Sequence, residues 1–271
     1  MIYQHLPYEL WENIFSFLHF HYVTNTVSTV CKAYHDIVYK YTLRLHINGK
    51  LLPVYSNNSV AHMKLTPYLC KFSKLQTLEL VNIFITIPTL KLQVTTDLLL
   101  PLLKATTTES TNLCPLTSIT LINCPCFEGE FIIENEEISA QIKHLNISKC
   151  NNITNVTLKR VDSLKTLILE SMQQLSDDCI TTIIDRVEEF DVLNLSNTVM
   201  SNKQQARVSI ASVHRLFKNK KRIRKLYLNH CFFANYNPTK YTALVTTNNN
   251  NNSDESSDYY KFPVKVEELH A

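Results

Sequence analysis

One apolar pattern recurs through the middle of the chain and restricts its fold more than any other feature. It runs apolar, two residues, apolar, one residue, apolar, two residues, then a small or sulfur-bearing residue. It appears as LQTLELVNI at 75–83, LTSITLINC at 116–124, IKHLNISKC at 142–150, LKTLILESM at 164–172, FDVLNLSNT at 190–198 and IRKLYLNHC at 223–231. We take its central apolar residue at 78, 121, 145, 167, 193 and 226. The core of each unit alternates with period two, which predicts a short strand with one face buried. A polar cap follows several units at nearly fixed distance: Thr154, Ser176 and Ser201. Each opens a helix-like run, NVTLKRV, DDCITTIIDRV or NKQQARVSIASVHRLF. Gln204 stands three residues after Ser201, as in a capping box. Leu175, Ile180, Ile183 and Ile184 share one helical face in the second run.

Strand, turn and helix in about 20–29 residues make up a leucine-rich-repeat unit. Over roughly residues 70 to 233 the pattern resembles the cysteine-containing subtype of that family. CNNITN at 150–155 and QQLSDD at 173–178 carry the resemblance, with Cys124, Cys150 and Cys231 in the Cys position. Ile83, Met172 and Thr198 depart from it. Two intervals are long. ITIPTLKLQVTT fits an extra strand, TTDLLLPLLKA a short helix limited by Pro101, and TTTESTN at 106–112 an exposed loop. A longer helix from about Ser201 to Phe217 accounts for the other interval.

Ahead of the repeats stands LPYELWENIFSFL, residues 6 to 18. Leu6, Leu10, Ile14 and Leu18 recur every four residues, with Phe15 and Phe17 beside them. Pro7 sits where a first helical turn tolerates it. Val27, Val30, Cys31, Tyr34, Ile37 and Val38 outline a second helical face. A module of about 45 residues seldom supplies an adequate core alone. Its surplus apolar surface has to be covered by the repeats, by a partner, or by both.

Leu6-Pro7, Glu9-Leu10, Ile14-Phe15-Ser16-Phe17-Leu18, Val30-Cys31-Lys32 and the aromatic Tyr34 resemble an F-box over about residues 4 to 47. The family usually has Trp at the place of Tyr34 and Arg at that of His35, and the Leu18–Val30 stretch is one residue longer than usual. An F-box followed by leucine-rich repeats resembles the substrate-recognition subunits of SCF-type cullin-RING ubiquitin ligases. The resemblance implies docking on the Skp adaptor through Leu6, Pro7, Leu10, Ile14, Phe15, Leu18, Val30 and Cys31. Such a surface would be helix-in-groove with buried apolar anchors.

The expected fold is thus α/β. A helical F-box at 1–47 precedes a short leucine-rich-repeat solenoid at 48–245, with parallel strands on the concave face and helices on the convex face. Residues 246–258, TTNNNNNSDESSD, are low-complexity and polar, as a disordered insertion would be. The tail 259–271 has enough apolar residues to cap the last repeat, or to serve as a short partner motif.

Residues flanking the buried strand positions should form the concave, substrate-binding face. They are Thr77 and Glu79, Ser118 and Thr120, His144 and Asn146, Thr166 and Ile168, Val192 and Asn194, and Lys225 and Tyr227. Small polar residues mixed with Ile168, Val192 and Tyr227 suit a protein or peptide. The run RLFKNKKRIRK at 215–225 is either a solvated helix end, a site for an acidic or phosphorylated segment, or a nuclear import signal. Glu128, Glu130, Glu134, Glu136 and Glu137 in the 124–142 connection read as a solvated loop.

Composition narrows the chemistry. With two glycines, Gly49 and Gly129, a glycine-rich phosphate loop is impossible. A formal charge of +3 implies no nucleic-acid partner by itself. No apolar run approaches a membrane span, and no secretory signal is visible, so we expect cytosol or nucleus and free thiols. Cys114, Cys124, Cys126, Cys150 and His144 lack the paired spacing of a zinc site. No cofactor, metal or catalytic residue is expected. The rival readings are a non-ubiquitin binding scaffold whose F-box-like helices only cap the repeats and, weakest, a thiol or metal enzyme.

Overall fold

The computed structural model describes residues 7–16, 18, 22–49, 72, 74–83, 92–93, 116–125, 127–133, 136–172, 174–197, 216, 222–229 and 265–270. Expectations for Leu6, Cys114, Cys126, Cys231, the 94–115 stretch, the Ser201 helix and the 246–258 insertion lie outside them.

The chain begins with helix α1, Tyr8–Ser16. The Pro7 carbonyl accepts from the backbone N–H groups of Leu10 and Trp11, at 3.1 and 3.4 Å, closing the first turn. A π-helical turn at Val23–Val27 leads into the short helix α2, Ser28–Val30. Cys31 is extended, with φ −160° and ψ 165°, and separates α2 from α3, Lys32–Asp36. A second π-helical turn follows at Ile37–Tyr41. The single face expected from Val27 to Val38 is therefore divided. Val27 and Val38 are buried, whereas Val30 and Cys31 lie on the surface.

Eleven described strands follow: β1 Arg44–Asn48, β2 Thr77–Val81, β3 Leu92–Gln93, β4 Ser118–Ile122, β5 Phe127–Ile133, β6 His144–Ser148, β7 Ile153–Leu158, β8 Thr166–Ile168, β9 Glu189–Asn194, β10 Arg222–Tyr227 and β11 Lys265–His270. Two helices, α4 Glu136–Gln141 and α5 Asp177–Arg186, lie among them. The main sheet is parallel, in the order β1-β2-β4-β6-β8-β9-β10-β11. A smaller parallel sheet is β3-β5-β7.

Period-two alternation aligns the buried side chains in rows across the main sheet. One row is Leu45, Leu78, Ile119, Leu145, Leu167, Leu193 and Leu226, all buried. The register Leu78↔Ile119↔Leu145 places the centre of one unit two residues before 121. Ile119, not Leu121, is its central residue. Leu121 belongs to the next row, between Leu80 and Ile147. The pattern agrees with this register: LTSITLINC laid on LQTLELVNI sets Ile119 against Leu78 and Leu121 against Leu80.

The outer layer is only partly helical. NVTLKRV, expected as a helix after Thr154, lies largely in strand β7. Its β-branched Ile153, Val156 and Thr157 suit a pleated surface, and its backbone pairs with β5. The presumed loop at 124–142 holds β5 and α4 instead, with Phe127 and Phe131 fully buried beneath Glu128 and Glu130. Residues 222–225 belong to strand β10, as the repeat at 223–231 expects, and not to the solvated helix end that was one reading of the basic run. Helix α5 follows expectation. Ser176 Oγ accepts from the Cys179 N–H at 3.2 Å, and Leu175, Ile180, Ile183 and Ile184 are buried.

Helix α5 also covers the outer edge of β7. The Cys179 thiol donates to the Val156 carbonyl and accepts from the Val156 N–H, both at 3.2 Å. Arg186 donates to the Leu158 carbonyl at 2.8 Å and to that of Lys159. Two side chains thereby stand in for a neighbouring strand.

Each unit leaves its strand through a left-handed residue: Asn82, Asn123, Lys149, Ser171 and Asn197 have φ between 52° and 57°. All five stand four residues after the central apolar position. Asn tolerates this region better than most residues. The Asn123 amide donates to Asn82 Oδ1 at 2.7 Å, and the Asn82 amide to Asn48 Oδ1 at 3.4 Å. In the first unit the equivalent residue is Gly49, where a Cβ would lie 2.0 Å from the Asn82 carbonyl oxygen.

The next residue turns back into the core. Ile83, Cys124, Cys150 and Met172 are all buried there. The thiols of Cys124 and Cys150 donate to the carbonyls of Leu80 and Leu121, at 3.4 and 3.5 Å. These carbonyls are equivalent, one unit back in each case. The repeated cysteine thus ties one unit to the one before it.

Candidate functional site

Two surfaces present side chains that the fold itself does not consume. The first is on α1 and α2. Trp11 and Phe15 turn inward against Tyr34, with ring centroids 5.1 to 5.9 Å apart. Trp11 is only 8% exposed. The opposite side carries Leu10, Ile14 and Leu18, which are 46, 44 and 38% exposed, and Val30, at 65%. Pro7 and Cys31 are exposed as well. With Tyr22, these make up every exposed large hydrophobic among the described residues. A patch of this kind marks an interaction surface. Of the residues expected to dock, Phe15 differs: it is half-buried, packed beneath the exposed row.

The same helices are fixed to the sheet from behind. Val27, Val38 and Tyr39 share one hydrophobic core with the strand leucines. Tyr39 packs against Phe72 and His35, with ring centroids 5.2 and 4.8 Å away and the rings tilted.

The second surface is the unburied face of the main sheet. Register places His46, Glu79, Thr120, Asn146, Ile168, Asn194, Tyr227 and His270 in one row across all eight strands. The adjoining row is Arg44, Thr77, Ser118, His144, Thr166, Val192, Lys225 and Glu268. All twelve face residues read from the repeat fall in these two rows. His46 pairs with Glu79 at 2.9 Å, and the Asn194 amide donates to Glu170 at 3.3 Å. Arg44 and His46 were missed because the repeat was read from residue 70 onward. The alternation of RLHIN, with Leu45 and Ile47 buried, was their signal.

Chemistry-bearing side chains do not converge on either surface. Among the described residues, no group of three His, Cys, Asp or Glu could hold a metal ion. None of the four described cysteines is in a disulfide, and three are buried. The Cys150 thiol beside it, aided by backbone hydrogen bonds, holds Cys124 below the ordinary thiol range despite its burial. Burial pushes the Cys179 thiol up. Both are engaged in structural hydrogen bonds. No described helix is long and apolar enough to cross a membrane.

The exposed row falls inside a segment that matches a known family. The family model for the F-box domain matches residues 4–46. The chain carries an F-box domain. F-box domains serve adaptor subunits of ubiquitin ligase complexes, typically by binding the Skp adaptor, and proteins that contain them are generally non-catalytic. Here the F-box spans α1 to the middle of β1. A comparison with curated proteins finds no match for the chain.

Proposed function

We propose that this chain is a substrate-recognition adaptor of an SCF-type E3 ubiquitin ligase. The F-box docks on the Skp adaptor, and through it on a cullin-RING assembly. The region behind it, which we read as a leucine-rich-repeat arc of the cysteine-containing subtype, presents its sheet face to a protein substrate for ubiquitination and proteasomal degradation. The mechanism is tethering. Holding substrate beside a ubiquitin-charged enzyme raises the effective concentration at a substrate lysine, and no residue of this chain need be catalytic. We place it in the cytosol or nucleus.

The observation that carries the reading is the confinement of all exposed large hydrophobics among the described residues to the F-box. Leu10, Ile14, Leu18 and Val30 supply the apolar anchors that a helix-in-groove interface requires. The face rows, with Thr120, Asn146, Ile168, Asn194 and Tyr227, offer the mixed polar and apolar contacts of a protein-binding surface.

The scaffold reading has one observation in its favour: Val38 and Tyr39 cover the first strands, as a cap would. The two readings divide on reconstitution. Purified chain mixed with the Skp adaptor, a cullin-RING core and charged ubiquitin-conjugating enzyme should assemble and support ubiquitin transfer to a bound partner. Failure of the intact chain to bind the Skp adaptor would leave the scaffold reading in its place.

A further inference from the structure

We infer that the substrate segment crossing the strand-start rim of the sheet is acidic, rich in aspartate and glutamate. The inference rests on the sheet-face reading above and names the chemistry that face selects. The rim is built by backbone bonds from each unit to the one before. Lys143 N–H donates to the Thr117 carbonyl, Lys165 N–H to Lys143, and Asp191 N–H to Lys165, at 2.8 to 2.9 Å. These residues therefore stack at the spacing of neighbouring strands, about 4.8 Å. His144 and Lys225 lie in the face row beside them, and Arg224 immediately precedes Lys225. Lys143, His144 and Arg224 are exposed, and Lys165 and Lys225 half-buried. Five basic or protonatable side chains thus border Asp191, and at the outermost step Glu189 is in register with Arg222.

The rest of the molecule makes this edge distinctive. The outer layer is mixed in charge, with Glu130, Asp178 and Asp185 exposed on β5 and α5 beside the exposed Arg186, whereas cations outnumber acids along the rim from β6 to β10. From β6 to β10 the rim spans three strand spacings, roughly 14 Å, which an extended segment of about five residues covers. Complementary charge on such a segment steers encounter and fixes register. A nucleic acid fits less well. Asp191 and Glu189 lie on its path, and Tyr227 is the one aromatic described in the two rows.

The test uses full-length chain and a fluorescein-labelled peptide with five consecutive glutamates in a Gly-Ser frame, read by polarisation. The glutamate peptide should bind, its glutamine counterpart should not, and 0.5 M salt should weaken binding about tenfold or more. Lys143→Glu with Lys165→Glu should weaken it at least tenfold. Asp191→Asn should tighten it two- to threefold, a gain that misfolding does not imitate. Equal binding of the glutamine peptide, indifference to Asp191→Asn, or binding only of a phosphoserine peptide or an RNA oligonucleotide overturns the inference. A parallel comparison of proteins captured by the chain separates the two readings. Loss with Ile168→Arg but not with the Lys143/Lys165 reversal sinks the acidic segment and leaves the sheet face standing. Retention with both removes the sheet face as well.

Discussion

The sharpest prediction concerns Leu10→Lys combined with Ile14→Lys. Each wild-type side chain is a little under half exposed, at 46 and 44%. Full burial of an aliphatic side chain contributes about 1.5–3 kcal/mol, so covering the exposed half contributes about 1 kcal/mol per residue. Loss of both removes about 2 kcal/mol of docking, roughly thirtyfold in Kd. An ammonium group brought into an apolar groove without a partner adds about 1 kcal/mol or more, so the double variant should bind over a hundredfold more weakly. The fold should barely respond. A lysine stem covers the half-buried surface that Leu10 and Ile14 cover, while its charge stays in water. Titration calorimetry with the purified Skp adaptor, beside thermal melts of each variant, reads both quantities. Binding within threefold of wild type refutes this docking face. A melting point lowered by ten degrees or more refutes the placement of these side chains outside the core.

Other outcomes follow from the packing. Gly49→Ala should destabilise the chain by about 1–3 kcal/mol in urea titration, because the new Cβ meets the Asn82 carbonyl oxygen at 2.0 Å. Lys149→Gly should be neutral to about 1 kcal/mol stabilising and Lys149→Val destabilising by about 1–2 kcal/mol, since φ is 57° there; equal unfolding midpoints would refute the strain argument. Cys179→Val should cost about 2 kcal/mol and Cys179→Ser less, because only serine can still meet the Val156 N–H and carbonyl. Burial raises the folded-state thiol pKa of Cys179, so above the ordinary value of 9.0 the unfolded chain loses its proton first and stability falls. Cys179→Ser should flatten that alkaline decline relative to wild type; an unchanged slope in urea titrations from pH 8 to 10 would count against it.

The amino-acid pattern revealed the inner layer better than the outer one. Leu78, Leu145, Leu167, Leu193 and Leu226 announce a half-buried strand through period two alone, and their parallel pairing bears this out. Ile119, rather than Leu121 two residues on, is the centre of its unit, by the full spacing of LTSITLINC as well as by its pairing with Leu78; alternation alone fits either residue. In the outer layer, Thr154 looked like a helix cap because it occupies the place that Ser176 holds in the next unit. What differs is the neighbour. Thr154 Oγ1 donates to the Gly129 carbonyl of β5, 25 residues back in the chain, a pairing that local sequence does not reveal. The F-box was legible because both spacing and order hold over a short span. That Phe15 turns inward while Leu10 and Ile14 turn outward required the positions of Trp11 and Tyr34.

The covered edge of β7 has a consequence for how the protein behaves in a crowded solution. An open strand edge is a template on which another chain can build, and exposed edges drive aggregation. Cys179 occupies both hydrogen-bonding groups of Val156, and Arg186 takes the carbonyl of Leu158. Together they deny an incoming strand its first bonds. Two side chains on a ten-residue helix thereby act as a solubility device, one that would fail by self-association before the fold itself was lost.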